Sequence, residues 1–528
     1  MLRGLVLSSV LAMGVAIPVG QPASAENNED TGNSSASSWP TGGHDVYNTR
    51  SNPDETKISP KNADKLAVKW AYTTNGDVSA TPAVAGGAVY FPDWGGYLHK
   101  VDAKTGKKIW SHRVSEYNGI TGSVSRSNPT VVGGTVYIGD TSGAHLLAIN
   151  ATTGTLRWST QVDSHPYAIL TQSPVVYDGV VYQGVSSRES ELGLNADFKC
   201  CTFRGSANAI DAETGKVLWR HYTVPENGGQ TGGYSGGAIW GTPAIDPKTK
   251  TVYFTTGQNY NVPQSVNDCQ NAGNKPYECH ASDNHIDSVL ALDMRNGAFK
   301  WTSGARLFDA FNTGCIPGFP PNNCPANPGP DYDFGEGAHL FTINVKGKKR
   351  SVIGAGQKSG EYWLLDATTG EVVWSAALAP GGNLGGIQWG TATDGKRIYV
   401  AEANSKKLPY QLPDGTTTNG SSFAALDPVT GKTLWQIADP TNGLAWGALT
   451  VANGVLYASS TSGHMYAIDA ANGKILWDHL APYSPNAGAA VVDGTVYWGN
   501  GYVRMKDAAG ATGSLTTGTF YAFSVNGK

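Results

Sequence analysis

The chain has 528 residues, 38 basic and 42 acidic side chains and a formal net charge of −4. That length is too great for one ordinary sandwich or bundle core, and with no basic run longer than KGKKR (346–350) the charge argues against a nucleic-acid partner. With 67 Gly, 15 Trp and only 15% charged residues, the composition suits many short strands joined by tight turns and does not suit a disordered chain.

Residues 1–25 read as a signal peptide. Arg3 is the positive start, Leu5 to Val19 the apolar run, and Ala23-Ser24-Ala25 a small-x-small cleavage site, so the mature chain begins at Glu26. The apolar run is too short for a comfortable span and no second one follows, which predicts no membrane span and a periplasmic or secreted product. Residues 26–60, rich in Asn, Ser and Pro, read as a polar leader that wraps the body formed by 61–528.

From there one pattern recurs: an apolar residue, Asp or Asn, a short turn ending in Gly, then Trp four residues later. Its copies are VDAKTGKKIW (101–110), INATTGTLRW (149–158), IDAETGKVLW (210–219), LDMRNGAFKW (292–301), LDATTGEVVW (365–374), LDPVTGKTLW (426–435) and IDAANGKILW (468–477). Asp and Thr favour the turn start and Gly permits positive φ. The flanking alternation of apolar residues makes each copy a hairpin whose outer strand ends in Trp. An eighth copy is split: TFYAFSVNGK (519–528) has the inner strand and turn, and KLAVKW (65–70) supplies the Trp. The fold class is therefore all-β, an eight-bladed β-propeller closed by an N-terminal strand.

The Trp spacings are 48, 61, 82, 73, 61 and 42 residues. A four-stranded blade needs roughly 40, so inserts are expected around 223–237, 258–285 and 305–338, where function gathers. Six cysteines in an exported chain favour disulfides. The local pairings Cys200–Cys201, Cys269–Cys279 and Cys315–Cys324 are expected, out of about fifteen possible connectivities. No Cys-x-x-Cys-His is present, so no covalent haem is expected.

The Ala-x-Asp-x-x-Thr-Gly-x-x-x-Trp pattern resembles the tryptophan-docking motif of the quinoprotein dehydrogenases, eight-bladed propellers that carry pyrroloquinoline quinone (PQQ) on their axis. The resemblance covers about 60–528. The strings CCTFRG (200–205), DYDFG (331–335), QKSG (357–360) and QWGTATDG (388–395) resemble the polyvinyl-alcohol dehydrogenase branch. The resemblance implies roles residue by residue. The Cys200–Cys201 ring lies on one face of the quinone and Trp240 on the other, a planar partner for a planar cofactor. Asp333 is the catalytic base, with Asp331 as rival. Lys358 reaches the quinone oxygens and stabilises negative charge there. Arg126 and Thr171 contact the quinone carboxylates, and Trp389 and Trp446 line the axis. The metal is calcium, held by oxygen ligands: Glu189 or Glu191, Gln258 or Asn259, and Asp333. Residue 335, where lanthanide-using relatives place a second Asp, is Gly.

The chain thus reads as a PQQ-dependent dehydrogenase that oxidises secondary alcohol groups, of polyvinyl alcohol or a similarly bulky polyol, and passes electrons to a separate cytochrome c. The alternative is a non-catalytic exported propeller scaffold for protein assembly, since such scaffolds share the repeat. No nucleotide-binding Gly-x-Gly-x-x-Gly opens a helix, no His cluster has zinc spacing, and there is no nucleophile elbow.

Overall fold

A computed structural model describes residues 38–304, 308–318 and 323–528; the expected signal peptide and residues 26–37 of the leader lie outside the described residues. Eight antiparallel blades follow one another in chain order. The first blade is Ala83–Ala85, Ala88–Pro92, Tyr97–Asp102 and Lys108–Arg113, running from the inside out. The eighth is Ala490–Val492, Thr495–Gly499, Gly518–Val525 and, as its outer strand, Leu66–Thr74. The N-terminal strand therefore closes the ring, as expected, and leaves no open edge there. No described helix is long and apolar enough to cross a membrane.

The repeat explains how the blades join. In the first copy, Asp102 Oδ1 accepts hydrogen bonds from Lys104 N, Thr105 N and Thr105 Oγ1, which fixes the turn. Gly106 follows at φ +69°, and a Cβ there would stand 2.6 Å from the ring of Trp70. The glycine is thus where the preceding blade's indole lies down, and Trp70 Nε1 completes the dock by donating to Ala103 O at 3.1 Å. The same bond recurs from Trp110 to Ala151, Trp158 to Ala212, Trp219 to Met294, Trp374 to Pro428 and Trp435 to Ala470. Each dock buries a large aromatic and satisfies its one donor. One detail differs from the sequence reading. The Trp does not end its strand: Trp110 is the third residue of Lys108–Arg113, and register shifts beside it, at Lys100/Val101 opposite, turn the ring toward the next blade.

Residues 39–52 run once around the ring axis and hydrogen-bond to the blades in order. Trp39 N donates to Val84 O (2.7 Å), Val131 N to Pro40 O (2.8 Å) and Gly42 N to Ser173 Oγ (3.3 Å). Ile245 N donates to Val46 O (2.7 Å), Leu340 N to Tyr47 O (3.0 Å), Thr393 N to Thr49 O (2.9 Å) and Val451 N to Arg50 O (3.0 Å). Asn52 Nδ2 reaches Val491 O (2.8 Å) in the eighth blade. Arg50 is buried, and burial pulls its guanidinium down to about 10 although Glu336 opposes this. Its Nε, Nη1 and Nη2 donate to Leu449 O, Gly42 O and Thr81 Oγ1. The polar side chains of this segment are thus turned inward, where the inner strands' unpaired backbone groups need partners.

Inserts interrupt the third and fourth blades and the joint after the fourth. Residues 188–205 carry the adjacent cysteines. Residues 256–287 carry the helix Gln264–Asn271, and residues 308–338 lead into the fifth blade. All three expected local disulfides are formed.

Candidate active site

The site is assembled where the inserts meet the axis. Asp331, at φ +64°, turns the chain so that its carboxylate and that of Asp333 face one cation. Lys358 Nζ lies 2.7 Å from Asp333 Oδ2 and 3.3 Å from both oxygens of Asp331. All three side chains are at most 9% exposed, so water screens this triad little. Lys358 follows the strand Lys348–Gly356, and its N–H donates to Asp333 O at 2.9 Å, locking the two segments together. Asp333 Oδ1 accepts Gln258 N–H at 2.9 Å. The approach needs Gly257: a Cβ there would stand 2.7 Å from Asp333 Oδ1 and 3.4 Å from Trp240 Nε1.

Trp240 is the platform of the site. Lys358 Nζ sits 5.5 Å from its ring centroid, within cation–π range. Trp389 meets it edge-on, with centroids 5.1 Å apart and planes at 67°. Trp240 packs into the same apolar cluster as Cys200, Cys201, Phe203 and Tyr260. Arg126, Thr171, Trp240 and Trp389 line one polar axial cavity with Arg50 and Glu336. Arg126 lies 4.5 Å over the Trp389 ring and donates to Tyr502 Oη at 3.0 Å. Gly335 also borders Trp240: a Cβ there would stand 3.1 Å from Trp240 Cη2 and 3.0 Å from Gln388 Cγ.

Glu189 is buried beneath the cysteine pair. It accepts Thr202 N (2.8 Å), Thr202 Oγ1 (3.2 Å) and Phe203 N (2.8 Å), so it holds the loop directly after Cys201. Gln258 donates its amide nitrogen to Phe311 O (3.2 Å), and among the described residues its carbonyl oxygen accepts no hydrogen bond.

Three expected residues are not brought to the site. Glu191 is exposed and pairs with Arg188 on the surface, because the 3-10 helix Glu189–Leu194 puts it on the outer side. Asn259 is turned away, its amide spent on Ser235 O and on a reciprocal pair of bonds with Asn284. Trp446 does not line the axial cavity. It packs behind Trp389 and donates to Leu384 O (2.8 Å) and Gln388 Oε1 (3.0 Å), which fixes Gln388. Among the described residues no three of His, Cys, Asp and Glu stand together as a metal-holding group.

The structure adds two acids that sequence reasoning missed, Asp287 and Asp309. Asp309 Oδ2 accepts Tyr332 N–H at 2.9 Å, between the two site aspartates, and Asp309 N donates to Asp287 Oδ2 at 3.3 Å. The other oxygen of each is buried with no hydrogen-bond partner. Burial pushes Asp309 up to about 7, with Asp333 adding to the rise and Lys358 and the Tyr332 N–H opposing it. Burial likewise drives Asp287 well above the carboxylate range, helped by the charges of Asp309 and Asp333. Asp331 is raised well above it too, chiefly by burial, against the pull of Lys358. Burial lowers Lys358, but Asp331 and Asp333 outweigh it and hold the ammonium above its ordinary value. Burial works toward the neutral acid at Asp331, and Asp333, at the shorter distance, is the closer ion-pair partner of Lys358. The only sequence signal for the two extra acids was a polar residue before an apolar strand (IDSVLALD, 286–293) and an Asp between apolar residues (FDAF, 308–311).

The family described as Outer membrane protein assembly factor BamB (PQQ_2) matches residues 67–303 and 358–519. A polyvinylalcohol dehydrogenase of Sphingopyxis sp. (strain 113P3) is 30% identical over 511 residues, 88% of this chain and 73% of that protein. A polyvinylalcohol dehydrogenase of Pseudomonas sp. is 29% identical over 536 residues, 93% of this chain and 77% of its own. Among solved structures, a quinohemoprotein alcohol dehydrogenase, ADHIIG, of Pseudomonas putida HK5 superposes with a TM-score of 0.71 at 20% identity, covering 93% of this chain and 81% of the other. That likeness speaks for the fold.

Proposed function

The chain belongs to the quinoprotein alcohol dehydrogenases, on the polyvinyl alcohol dehydrogenase branch of the wider PQQ_2 family, and from that premise we propose that it is an exported PQQ-dependent enzyme that oxidises secondary alcohols. Its substrate on this reading is polyvinyl alcohol or a similarly bulky polyol, and its electron acceptor a separate cytochrome c. The observation that carries the reading is the buried triad of Asp331, Asp333 and Lys358 set against Trp240.

The residues fit the cofactor. Trp240 and the Cys200–Cys201 ring offer two flanking faces from one packed cluster. Trp389 Nε1 is buried without a partner, a donor in want of an acceptor. Arg126 and Thr171 are suited to the quinone carboxylates. When bound, PQQ supplies a two-electron acceptor. Asp333 takes the proton of the substrate hydroxyl. The Gln258 N–H and Lys358 hold its carboxylate in place, and burial keeps water from competing for it. Lys358 also stabilises negative charge developing beside it. Calcium on this reading is held by Glu189, the free carbonyl oxygen of Gln258 and Asp333, an all-oxygen set. These protein donors would not close a calcium shell alone and would leave positions open to further oxygen donors. A side chain at position 335 would need Gln388 and Trp240 to shift, so Gly335 supplies no further carboxylate to the site.

A scaffold for protein assembly would share the blades but has no use for a buried lysine paired with two buried aspartates. The test is a pair of variants. Asp333→Asn is expected to bind PQQ and lose turnover by about 10²-fold or more, while Asp331→Asn retains most of it. The reverse pattern would move the base to Asp331.

A further inference from the structure

Beside the triad, an open groove lies between two of the inserts. One wall is the helix Gln264–Asn271 with residues 274–276, braced by Cys269–Cys279. The other is the segment 326–330, just after Cys324 of the second brace. Asn327 Nδ2 ties the walls together through Asn267 O (3.3 Å) and Asn271 Oδ1 (3.1 Å). The groove has a volume of about 520 Å³, within the range for small-ligand clefts. It is therefore roomy enough for a stretch of chain.

The groove leads to the chemistry. Its wall runs from Pro330 directly into Asp331–Asp333, and three residues of chain reach at most about 11 Å. Its floor is Phe308 and Asp309, and Asp309 holds the Tyr332 N–H between the two site aspartates. The lining combines side-chain amides at Gln270, Asn274 and Asn327 with apolar surface at Phe308 and Pro330, and its described residues include no Lys or Arg. Gln270 is half-buried on this wall, and among the described residues its side-chain amide makes no hydrogen bond, so it can meet a ligand.

We propose that this groove binds a run of a neutral polyhydroxylated chain and holds it while one carbinol of that chain lies at Asp333. Alternating CH2 and CHOH groups need the mixture present: apolar contact for the methylenes and amides that both donate and accept for the hydroxyls. An anionic polymer finds no cation among the described residues of the lining. The proposal rests on the dehydrogenase reading, and its test separates the two.

Gln270→Ala removes the free amide, and Gln270→Trp fills the groove. Two quantities are read on the quinone-loaded protein and on each variant. One is the ratio of kcat/KM for polyvinyl alcohol to that for a short secondary alcohol such as 2-propanol. The other is the calorimetric affinity of polyvinyl alcohol oligomers for the protein without quinone. The expected result is a ratio lowered about threefold to tenfold by Gln270→Ala, the loss of about one hydrogen bond, and lowered further by Gln270→Trp, with oligomer affinity falling in the same order. Parent-like ratios and affinities in both variants would overturn the proposal. So would equal losses for both alcohols with oligomer affinity intact. If the parent oxidises no alcohol, the dehydrogenase reading fails, and the oligomer affinities still decide the groove.

Discussion

Replacing Lys358 by Met tests the electrostatic reading of the triad. Methionine keeps the length of the side chain and removes the charge. Among the described residues the lysine is the single cation at hydrogen-bond distance from Asp331 and Asp333, at 3.3 and 2.7 Å, and all three side chains are buried. Breaking a buried ion pair by removing one partner costs about 3–5 kcal/mol. The variant has one escape, which is to take up a proton, since burial already favours the neutral acid at Asp331. The sign follows from linkage. Without the lysine the folded-state carboxyls titrate higher, while the unfolded ones titrate near 4. The folded variant therefore binds more protons than the unfolded chain above that pH, and its stability falls as pH rises, by up to about 1.4 kcal/mol per unit per group. Urea unfolding in EDTA at pH 8 is expected to show the full loss, and at pH 5 a much smaller one. The double variant Lys358→Met/Asp331→Asn is expected to recover about 1–3 kcal/mol relative to the sum of the single changes. A loss equal at both pH values, with additive single effects, would refute the reasoning.

Three further outcomes follow from other parts of the molecule. Gly215→Ala sets a Cβ at φ +74° and 2.8 Å from the Trp158 ring, and is expected to cost about 2–4 kcal/mol. Gly228→Ala, at φ +62° with nothing within 4 Å, is expected to cost only about 1 kcal/mol, and thermal unfolding compares the two. Arg50→Met leaves Leu449 O and Gly42 O without their donor. It should destabilise by about 3 kcal/mol and speed amide exchange in residues 39–52; unchanged exchange there would contradict the role given to Arg50. Asp309, pushed up to about 7 in the fold, keeps its proton where the unfolded chain has released it. Stability is therefore expected to fall as pH rises from about 4 to about 7, and Asp309→Asn to flatten that slope in calorimetry.

The ring was legible because its signal is local and repeated. Each Asp, Thr, Gly and Trp of the motif acts within one turn or on the next blade, so spacing alone reveals it, and Trp70 marks the closure. The adjacent cysteines, Trp240, Asp333 and Lys358 were legible by resemblance. What escaped depends on contacts distant in sequence. Residues 39–52 have no periodicity, since each residue answers to a different blade; they read as a polar leader that wraps the body, but not as a segment hydrogen-bonded to every blade in turn. Glu191 and Asn259 were alternatives that spacing could not separate from Glu189 and Gln258. Which side of a short 3-10 turn faces inward is decided by the packing around it, as is which of two neighbouring amides is taken by Asn284. Asp287 and Asp309 look like ordinary turn residues, and their meaning comes only from burial beside Asp333.

The most direct test of the account is optical. Purified mature protein is mixed with calcium and PQQ, freed of unbound cofactor, and given a secondary alcohol with an artificial electron-accepting dye. The account predicts retained quinone absorbance and dye reduction that depends on the alcohol and is lost in Asp333→Asn. Protein that retains no quinone at any calcium concentration would contradict it.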